Sequence, residues 1–124
     1  MSTRADRMAK LDALLDRAEI LDCIHRYTRG MDRLDRELVR SAYHDGAIDE
    51  HGGFVGPVGD FLDWAFAYHA RQVRHQHYVT NSSVELDGDA AHAETYYAAF
   101  GTVARNRSDT SYERPLVPRR AARA

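Results

Sequence analysis

The amino-acid sequence predicts an α+β fold in which N-terminal helices cover one face of a curved antiparallel sheet. Three observations lead to this class. Apolar residues recur at three- and four-residue spacing early in the chain. An Asp-Gly-Asp turn joins two long extended segments near the other end. Helical segments precede most of the strands, and the 124-residue length is that of one domain.

The opening helix is the clearest predicted element. Its apolar face is formed by Leu11, Leu14, Leu15, Ala18, Leu21, Ile24, Thr28 and Met31. We interpret Gly30 as the stop of this helix, because glycine is common just past a helix end. Asp35 is a suitable N-cap for a short second helix that buries Val39.

A short hairpin and a third helix come next. Gly52-Gly53 is the predicted turn between strands at 47–50 and 54–55. Pro57 suits the first turn of the third helix, which we expect to end near Arg71.

The last predicted elements are two long strands, at 74–86 and 90–105, joined by Asp87-Gly88-Asp89. Alternate residues of a strand share a face. Small side chains early in the last strand indicate the side covered by helices, which places Tyr97 inward and Tyr96 outward.

We divide the chain into a flexible N-terminus (1–8), a folded domain (9–105) and a basic tail (106–124). The tail has no hydrophobic periodicity and contains two of the three prolines, so we expect it to be mostly disordered.

Composition excludes several classes of function. The net charge is −2, and residues 105–124 carry six arginines against two acidic residues, so the rest of the chain is acidic and nucleic acid is not an expected partner. No apolar run reaches the roughly 20 residues that span a bilayer. The polar N-terminus is not a secretory signal, so we expect a cytoplasmic protein. The single cysteine, Cys23, is interpreted as a small buried apolar residue.

The pair His75 and His77 raises the question of a metal. The two side chains are expected to share a strand face with Val79 and Asn81. Further ligands with a recognisable spacing are missing, so we predict no metal. The structural alternatives are a solvated edge residue for His75 and a satisfied core histidine for His77.

Three segments together resemble a known family: Tyr27-Thr-Arg-Gly-Met-Asp32, His77-Tyr-Val-Thr-Asn81 and Val84-Glu-Leu-Asp-Gly-Asp-Ala-Ala91. In order and spacing they resemble the SnoaL-like branch of the nuclear transport factor 2 superfamily. Within it, the chain looks closest to the scytalone dehydratase and hexachlorocyclohexane dehydrochlorinase group. This resemblance implies a cone-like fold around one apolar pocket.

By the same resemblance, Asp32 and His77 match the catalytic aspartate–histidine dyad of that group. A buried carboxylate would fix the imidazole tautomer, and His77 would remove a proton from substrate carbon. On local evidence alone, Asp32 has a purely structural explanation as a helix-end carboxylate.

Five further residues are candidates for substrate binding: Tyr27, Asn81, Tyr97, Trp64 and Phe54. Tyr27 precedes Asp32 by about 1.4 helical turns, so its hydroxyl is placed to reach the same pocket, although a core tyrosine is the alternative. Asn81 would orient substrate or cap a strand bend. Trp64 is expected in the core and the pocket wall.

The resemblance implies an enzyme without cofactor that performs dehydration, elimination or isomerisation on a small apolar or aromatic cyclic molecule, as a homo-oligomer (dimer or trimer). Family members usually continue with two more strands, which we expect this chain to lack. That expectation leaves an alternative: a non-catalytic binding or association module, such as the beta subunit of ring-hydroxylating dioxygenases.

Overall fold

The computed structural model describes residues 1–103. Three helices and four strands follow one another as α1 (Arg4–Arg33), α2 (Arg36–Arg40), β1 (Ile48–His51), β2 (Phe54–Pro57), α3 (Val58–His69), β3 (Gln72–Asp87) and β4 (Ala90–Val103). Helices pack on antiparallel strands, which confirms the predicted α+β class. The predicted tail at 106–124 and the last two positions of the final predicted strand lie outside the described residues.

Helix α1 is longer at both ends than the sequence predicts. It begins at Arg4, before the expected domain start at residue 9, because Thr3 and Asp6 form a capping box. It continues past Gly30 and is closed by Leu34, which adopts the left-handed conformation with φ 53°. The prediction that Gly30 stops the helix is therefore wrong.

Gly30 instead allows α2 to pack closely on α1. It is buried, and a Cβ atom at this position would lie 2.6 Å from Cγ2 and 2.9 Å from the backbone nitrogen of Val39. Real Cβ atoms do not approach other atoms so closely, so only glycine fits without a shift of α2.

The first turns of α1 do not pack against the described part of the fold. Leu11, Leu14 and Leu15 are 50%, 60% and 63% exposed, so the predicted burial of the whole apolar face is wrong there. Cys23, further along the helix, is only partly buried. Packing is confined to the C-terminal end, where α1 meets α2 and β3. Within residues 1–103, none of the helices has the uninterrupted apolar length that a membrane crossing demands.

The core lies where the end of α1, α2 and α3 come together. Its buried residues are Met31, Val39, Val58, Phe61, Leu62 and Ala65. Four partly buried aromatic residues pack on it: Tyr27, Tyr43, Phe54 and Phe66. Tyr27 also contacts the ring of His77, so this aromatic layer connects the core to β3.

The strands pair as two hairpins. β1 pairs with β2, and β3 pairs with β4, all antiparallel. The described residues therefore form two two-stranded sheets, not the one continuous sheet that the sequence predicts. Ala93, Thr95 and Ala99 are buried whereas Tyr96 is 51% exposed, which confirms the predicted inward and outward faces of β4.

Candidate active site

Asp32, near the end of α1, meets His77, in the middle of β3. The His77 Nδ1 atom lies 2.6 Å from Asp32 Oδ1. The backbone N–H of His77 also donates to both carboxylate oxygens, at 3.1 and 3.0 Å. The two side chains are only 10% and 18% exposed for His77 and Asp32, respectively. The structure thus brings the two predicted dyad residues into direct contact.

This geometry fixes the tautomer of the imidazole. An ionised carboxylate only accepts hydrogen bonds, so the short contact to Asp32 requires a proton on Nδ1 of His77. In the neutral ring, Nε2 then has a free lone pair and can accept a proton. The arrangement is that of an oriented general base.

His75, two residues before His77 on β3, also connects this strand to α1. Its Nε2 lies 2.6 Å from the carbonyl oxygen of Met31, to which it donates. This carbonyl is in the last turn of α1, where it also accepts from the backbone N–H of Leu34 at 3.2 Å, so His75 adds a second donor to the helix end. His75 is partly buried, so its interpretation as a solvated edge residue is wrong.

A third histidine, His69 at the end of α3, completes a cluster with these two. Its ring centroid is 4.7 Å from that of His75 and 5.9 Å from that of His77. Burial, and then electrostatic interaction with the neighbouring His75, His77 and His51 rings, lowers the pKa of His69 to about 4 against the opposing effect of Asp32. His69 is therefore neutral near pH 7. Its Nδ1 is buried without a hydrogen-bond partner among the described residues.

The histidine cluster is not arranged as a metal site. His75 is directed to a carbonyl and His77 to a carboxylate, so the two rings are held by different partners. Within residues 1–103, no three His, Cys, Asp or Glu side chains are placed to hold one metal ion.

Two of the predicted binding residues, Tyr27 and Tyr97, lie beside the imidazole of His77. Their ring centroids lie 6.5 and 6.4 Å from that of His77. Burial, and then the negative charge of Asp49, raise the pKa of Tyr27 well above its usual value, so its hydroxyl keeps its proton. Tyr27 is both a core residue and a wall of the site.

Phe54 and Trp64 form a separate aromatic group around Phe61. The rings of Phe54 and Trp64 are stacked at 5.6 Å, and they lie 5.9 and 6.2 Å from the ring of Phe61. Trp64 is 39% exposed. Phe61 contacts Tyr27, and Tyr27 contacts His77. Phe54 and Trp64 are therefore separated from His77 by the rings of Phe61 and Tyr27.

Asn81 is not on the face of His77. The pairing of β3 with β4 shifts between Val79 and Ser82, so an additional residue breaks the alternation. Asn81 is exposed, and Ser82 takes the inward position, with its hydroxyl 2.8 Å from that of the buried Thr95. The same-face prediction for Asn81 is wrong, because strand periodicity does not foresee a bulge.

Sequence reasoning missed a second buried carboxylate. Asp49 on β1 is 3% exposed and accepts a hydrogen bond from the Tyr43 hydroxyl at 2.7 Å. From the sequence alone it is no more than a candidate metal ligand without supporting spacing. The alternation of β1 was an available signal, because it places Asp49 and His51 on one face.

Two open depressions mark the surface. One, of about 420 Å³, is lined by the β1–β2 turn from Glu50 to Val55. The other, of about 730 Å³, is lined mainly by residues of α2 and its surroundings. Neither is lined by Asp32 or His77, so neither is the enclosed apolar pocket that the resemblance implies.

Comparison with known proteins identifies the family. A family model described as a SnoaL-like domain matches residues 12–116. The chain belongs to the SnoaL-like domain family. The match extends beyond residue 105, where we placed the end of the domain. Comparison with curated protein sequences gave no match.

Solved structures agree on the fold of this SnoaL-like domain. A nuclear transport factor 2-like protein with a cystatin-like fold from Novosphingobium aromaticivorans is 25% identical with a TM-score of 0.66, over 91% of this chain and 74% of its own. A candidate dehydratase from Streptomyces avermitilis is 18% identical with a TM-score of 0.59, over 75% and 74%. The benzoate 1,2-dioxygenase beta subunit from Burkholderia mallei is 15% identical with a TM-score of 0.50, over 93% and 77%.

Proposed function

We propose that this SnoaL-like domain is a cofactor-independent enzyme of the lyase or isomerase type, which removes a proton from carbon of a small apolar cyclic substrate. The observation on which this depends is the Asp32–His77 contact, a buried carboxylate 2.6 Å from an imidazole. The finer placement near the scytalone dehydratase and hexachlorocyclohexane dehydrochlorinase group is part of the proposal.

In the proposed step, His77 Nε2 takes a proton from a C–H bond that is acidified by a neighbouring group. The electron pair of that bond forms a new C=C bond. In an elimination, the C–O bond on the adjacent carbon breaks and the hydroxyl leaves as water after taking the proton from the His77 imidazolium, or a halide leaves as the anion. In an isomerisation, the double bond migrates and the imidazolium returns its proton to another carbon. Asp32 stabilises the imidazolium that forms, as a carboxylate does when it accepts from Nδ1.

Tyr27 and Tyr97 are the proposed walls of the substrate site. The protonated Tyr27 hydroxyl is a donor suited to negative charge that develops on the substrate. Phe54 and Trp64 would contact a more distant part of the ring, one aromatic layer away. Asn81, being exposed, is left out of this site.

Deuterium exchange tests the proposal without knowledge of the product. In ²H₂O, the wild type is expected to speed C–H to C–D exchange in at least one member of a panel of small cyclic ketones such as 2-tetralone. His77→Ala should reduce that rate about 10²- to 10⁴-fold. The exposed His92 gives a matched control, since His92→Ala should leave exchange unchanged. Equal rates in the His77 and His92 variants would overturn the proposed role of His77.

A second candidate function is subunit association without catalysis, as suggested by the likeness to a dioxygenase beta subunit. It is favoured by the exposed leucines of α1, Leu11, Leu14 and Leu15, which form an apolar stripe. The exchange assay, combined with size-exclusion chromatography and light scattering, distinguishes the two candidate functions. A stable dimer or trimer with no exchange activity would favour association, whereas an active oligomer fits the enzyme.

A further inference from the structure

A buried acceptor on β1 lacks a hydrogen bond. Asp49 is 3% exposed, and its Oδ2 accepts from the Tyr43 hydroxyl at 2.7 Å. Its Oδ1 is buried and has no hydrogen bond within the described part of the chain. His51 Nδ1 lies 3.3 Å from Oδ1, an ion-pair distance, but the contact does not have hydrogen-bond geometry.

An arrangement of this kind is costly in a native fold. A buried polar atom without a hydrogen bond costs about 1–3 kcal/mol, and more when the group is charged. Nearly all such atoms are therefore satisfied, and the exceptions frequently serve function. An apolar residue at this position of β1 would be buried at no such cost.

The surroundings of Asp49 connect it to the dyad. The Tyr43 ring lies 6.1 Å from that of Tyr27, which in turn lies 6.5 Å from that of His77. Phe61 packs against both tyrosines and against the His51 ring, at 6.5, 6.1 and 5.0 Å for Tyr27, Tyr43 and His51. Asp49 and His77 thus belong to one aromatic interior.

The surroundings also provide an approach from solvent. His51, the neighbour of Oδ1, lines the depression of about 420 Å³ on the β1–β2 turn, together with Phe54. That volume is within the usual range for small-molecule sites. The stacked rings of Phe54 and Trp64 beside it offer an apolar platform. Asp49 does not itself line the depression; His51 does, and its Nδ1 lies 3.3 Å from Asp49 Oδ1.

We infer that Asp49 is a substrate-binding residue whose Oδ1 accepts a hydrogen bond from a hydroxyl group on the substrate ring. This inference rests on the proposed function and narrows its substrate class. A carboxylate only accepts, so it selects a ring that carries a donor, here a hydroxyl, and not one whose substituents are only carbonyl oxygens, ethers or halogens. The substrate is therefore a hydroxylated ring, not a purely halogenated one.

Binding of three matched probes to the wild type tests the inference by calorimetry or ligand-observed NMR. 2-Naphthol presents a hydroxyl, 2-methoxynaphthalene an acceptor alone, and 2-fluoronaphthalene a halogen on the same ring. We expect 2-naphthol to bind at least about tenfold more tightly than the other two, as a hydrogen bond to a charged group predicts. Equal affinities for all three probes would overturn the inference without any variant.

Two variants locate the effect. Asp49→Asn removes the charge while keeping size, and should reduce the preference for 2-naphthol to within about threefold. It should also unfold at a temperature equal to or above that of the wild type, because a buried charge with one oxygen lacking a hydrogen bond is removed. Asp89→Asn, the same change in the exposed β3–β4 turn, should keep the preference. A preference that survives in Asp49→Asn, or vanishes in Asp89→Asn, would contradict the assignment.

Failure of this inference can be distinguished from failure of the proposed function, because the three probes report binding whereas deuterium exchange reports catalysis. His77→Ala should retain the full preference for 2-naphthol, since the Asp49 carboxylate is separated from the His77 ring by tyrosines. Loss of the preference in His77→Ala would place the hydroxyl at the dyad and overturn the role of Asp49, while deuterium exchange independently reports on His77.

Discussion

The backbone N–H of His77 donates to both carboxylate oxygens of Asp32, so the dyad is joined through the main chain as well as through the imidazole. One strand residue therefore supplies all three of these hydrogen bonds. The main-chain contacts hold the carboxylate against β3 whatever the state of the ring. This arrangement separates the structural role of Asp32 from its effect on the imidazole.

Asp32→Asn tests that separation. The amide oxygen of asparagine can still accept from the backbone N–H of His77, but the amide NH2 then faces a donor that the second carboxylate oxygen satisfied, so we expect a loss of about 1–3 kcal/mol of unfolding free energy. A neutral amide does not stabilise the imidazolium, so the deuterium-exchange rate should fall about 10²-fold or more. The measurements are chemical denaturation and exchange in ²H₂O.

One result for Asp32→Asn would contradict a catalytic role of Asp32. If Asp32→Asn exchanges at the wild-type rate, then Asp32 only anchors the helix end to the strand. The exposed Asp63 provides a control, because Asp63→Asn lies outside the dyad contacts and forms only a surface ion pair with Arg36. It should change neither stability nor rate appreciably.

His69 makes stability depend on pH in a defined direction. Its pKa is lowered to about 4 in the folded protein from an ordinary 6.5. Between these values the unfolded chain binds more protons than the folded one, so the free energy of unfolding decreases as pH falls from 6.5 towards 4. Above pH 6.5 the His69 ring is neutral in both the folded and the unfolded chain, so His69 no longer lowers the free energy of unfolding there.

Replacement of His69 by phenylalanine should flatten this part of the stability profile. Urea denaturation at intervals from about pH 7 to 4 is the measurement, and the quantity of interest is the difference in slope from the wild type. His92→Phe, at an exposed position, should keep the wild-type slope. A His69→Phe profile parallel to the wild type would show that His69 titrates normally in the fold.

Part of this fold follows from the sequence because the deciding interactions are local. The Asp35 side chain caps α2 by accepting from Leu38, as its position before an apolar run predicts. The turn at Asp87-Gly88-Asp89 joins two long strands, with Gly88 at φ 56°. The contact between Asp32 and His77 is not local, and only the family resemblance implied it.

Other features depend on tertiary structure and could not be predicted. The bulge that exposes Asn81 adds one residue to β3, and the alternation on which the same-face argument depended fails at that point. His75 has a partner only because the end of α1 lies beside it. The alternation of β1 places Asp49 and His51 on one face, but which face is buried depends on α3 packing on β1.

The role of Gly30 also depends on tertiary structure, and it allows a prediction about stability. Gly30→Ala would place a methyl group 2.6 Å from Val39 Cγ2, so we expect a loss of about 1–3 kcal/mol of unfolding free energy. A methyl group at Gly59, in α3, would have no neighbouring atom within 4 Å, and Gly59→Ala should instead stabilise by up to about 1 kcal/mol. Stabilisation by Gly30→Ala would contradict the close packing of α1 on α2.

At Leu34, which closes the same end of α1, we expect a substitution to stabilise the protein. It has φ 53° and ψ 39°, a left-handed conformation that costs a non-glycine residue about 1–2 kcal/mol. The side chain is 42% exposed, so its removal loses little packing. Because glycine takes this conformation freely but gains entropy in the unfolded chain, Leu34→Gly should stabilise by about 0.5–1 kcal/mol net.

Thermal and urea denaturation measure this effect, with Leu14→Gly as the matched control. Leu14 is 60% exposed within α1, where a glycine should destabilise by about 1 kcal/mol. The same substitution is thus expected to have opposite signs at two exposed leucines of one helix region, because the backbone is left-handed at one and helical at the other. Destabilisation in both variants would mean that the side chain of Leu34 contributes more to stability than its backbone conformation costs.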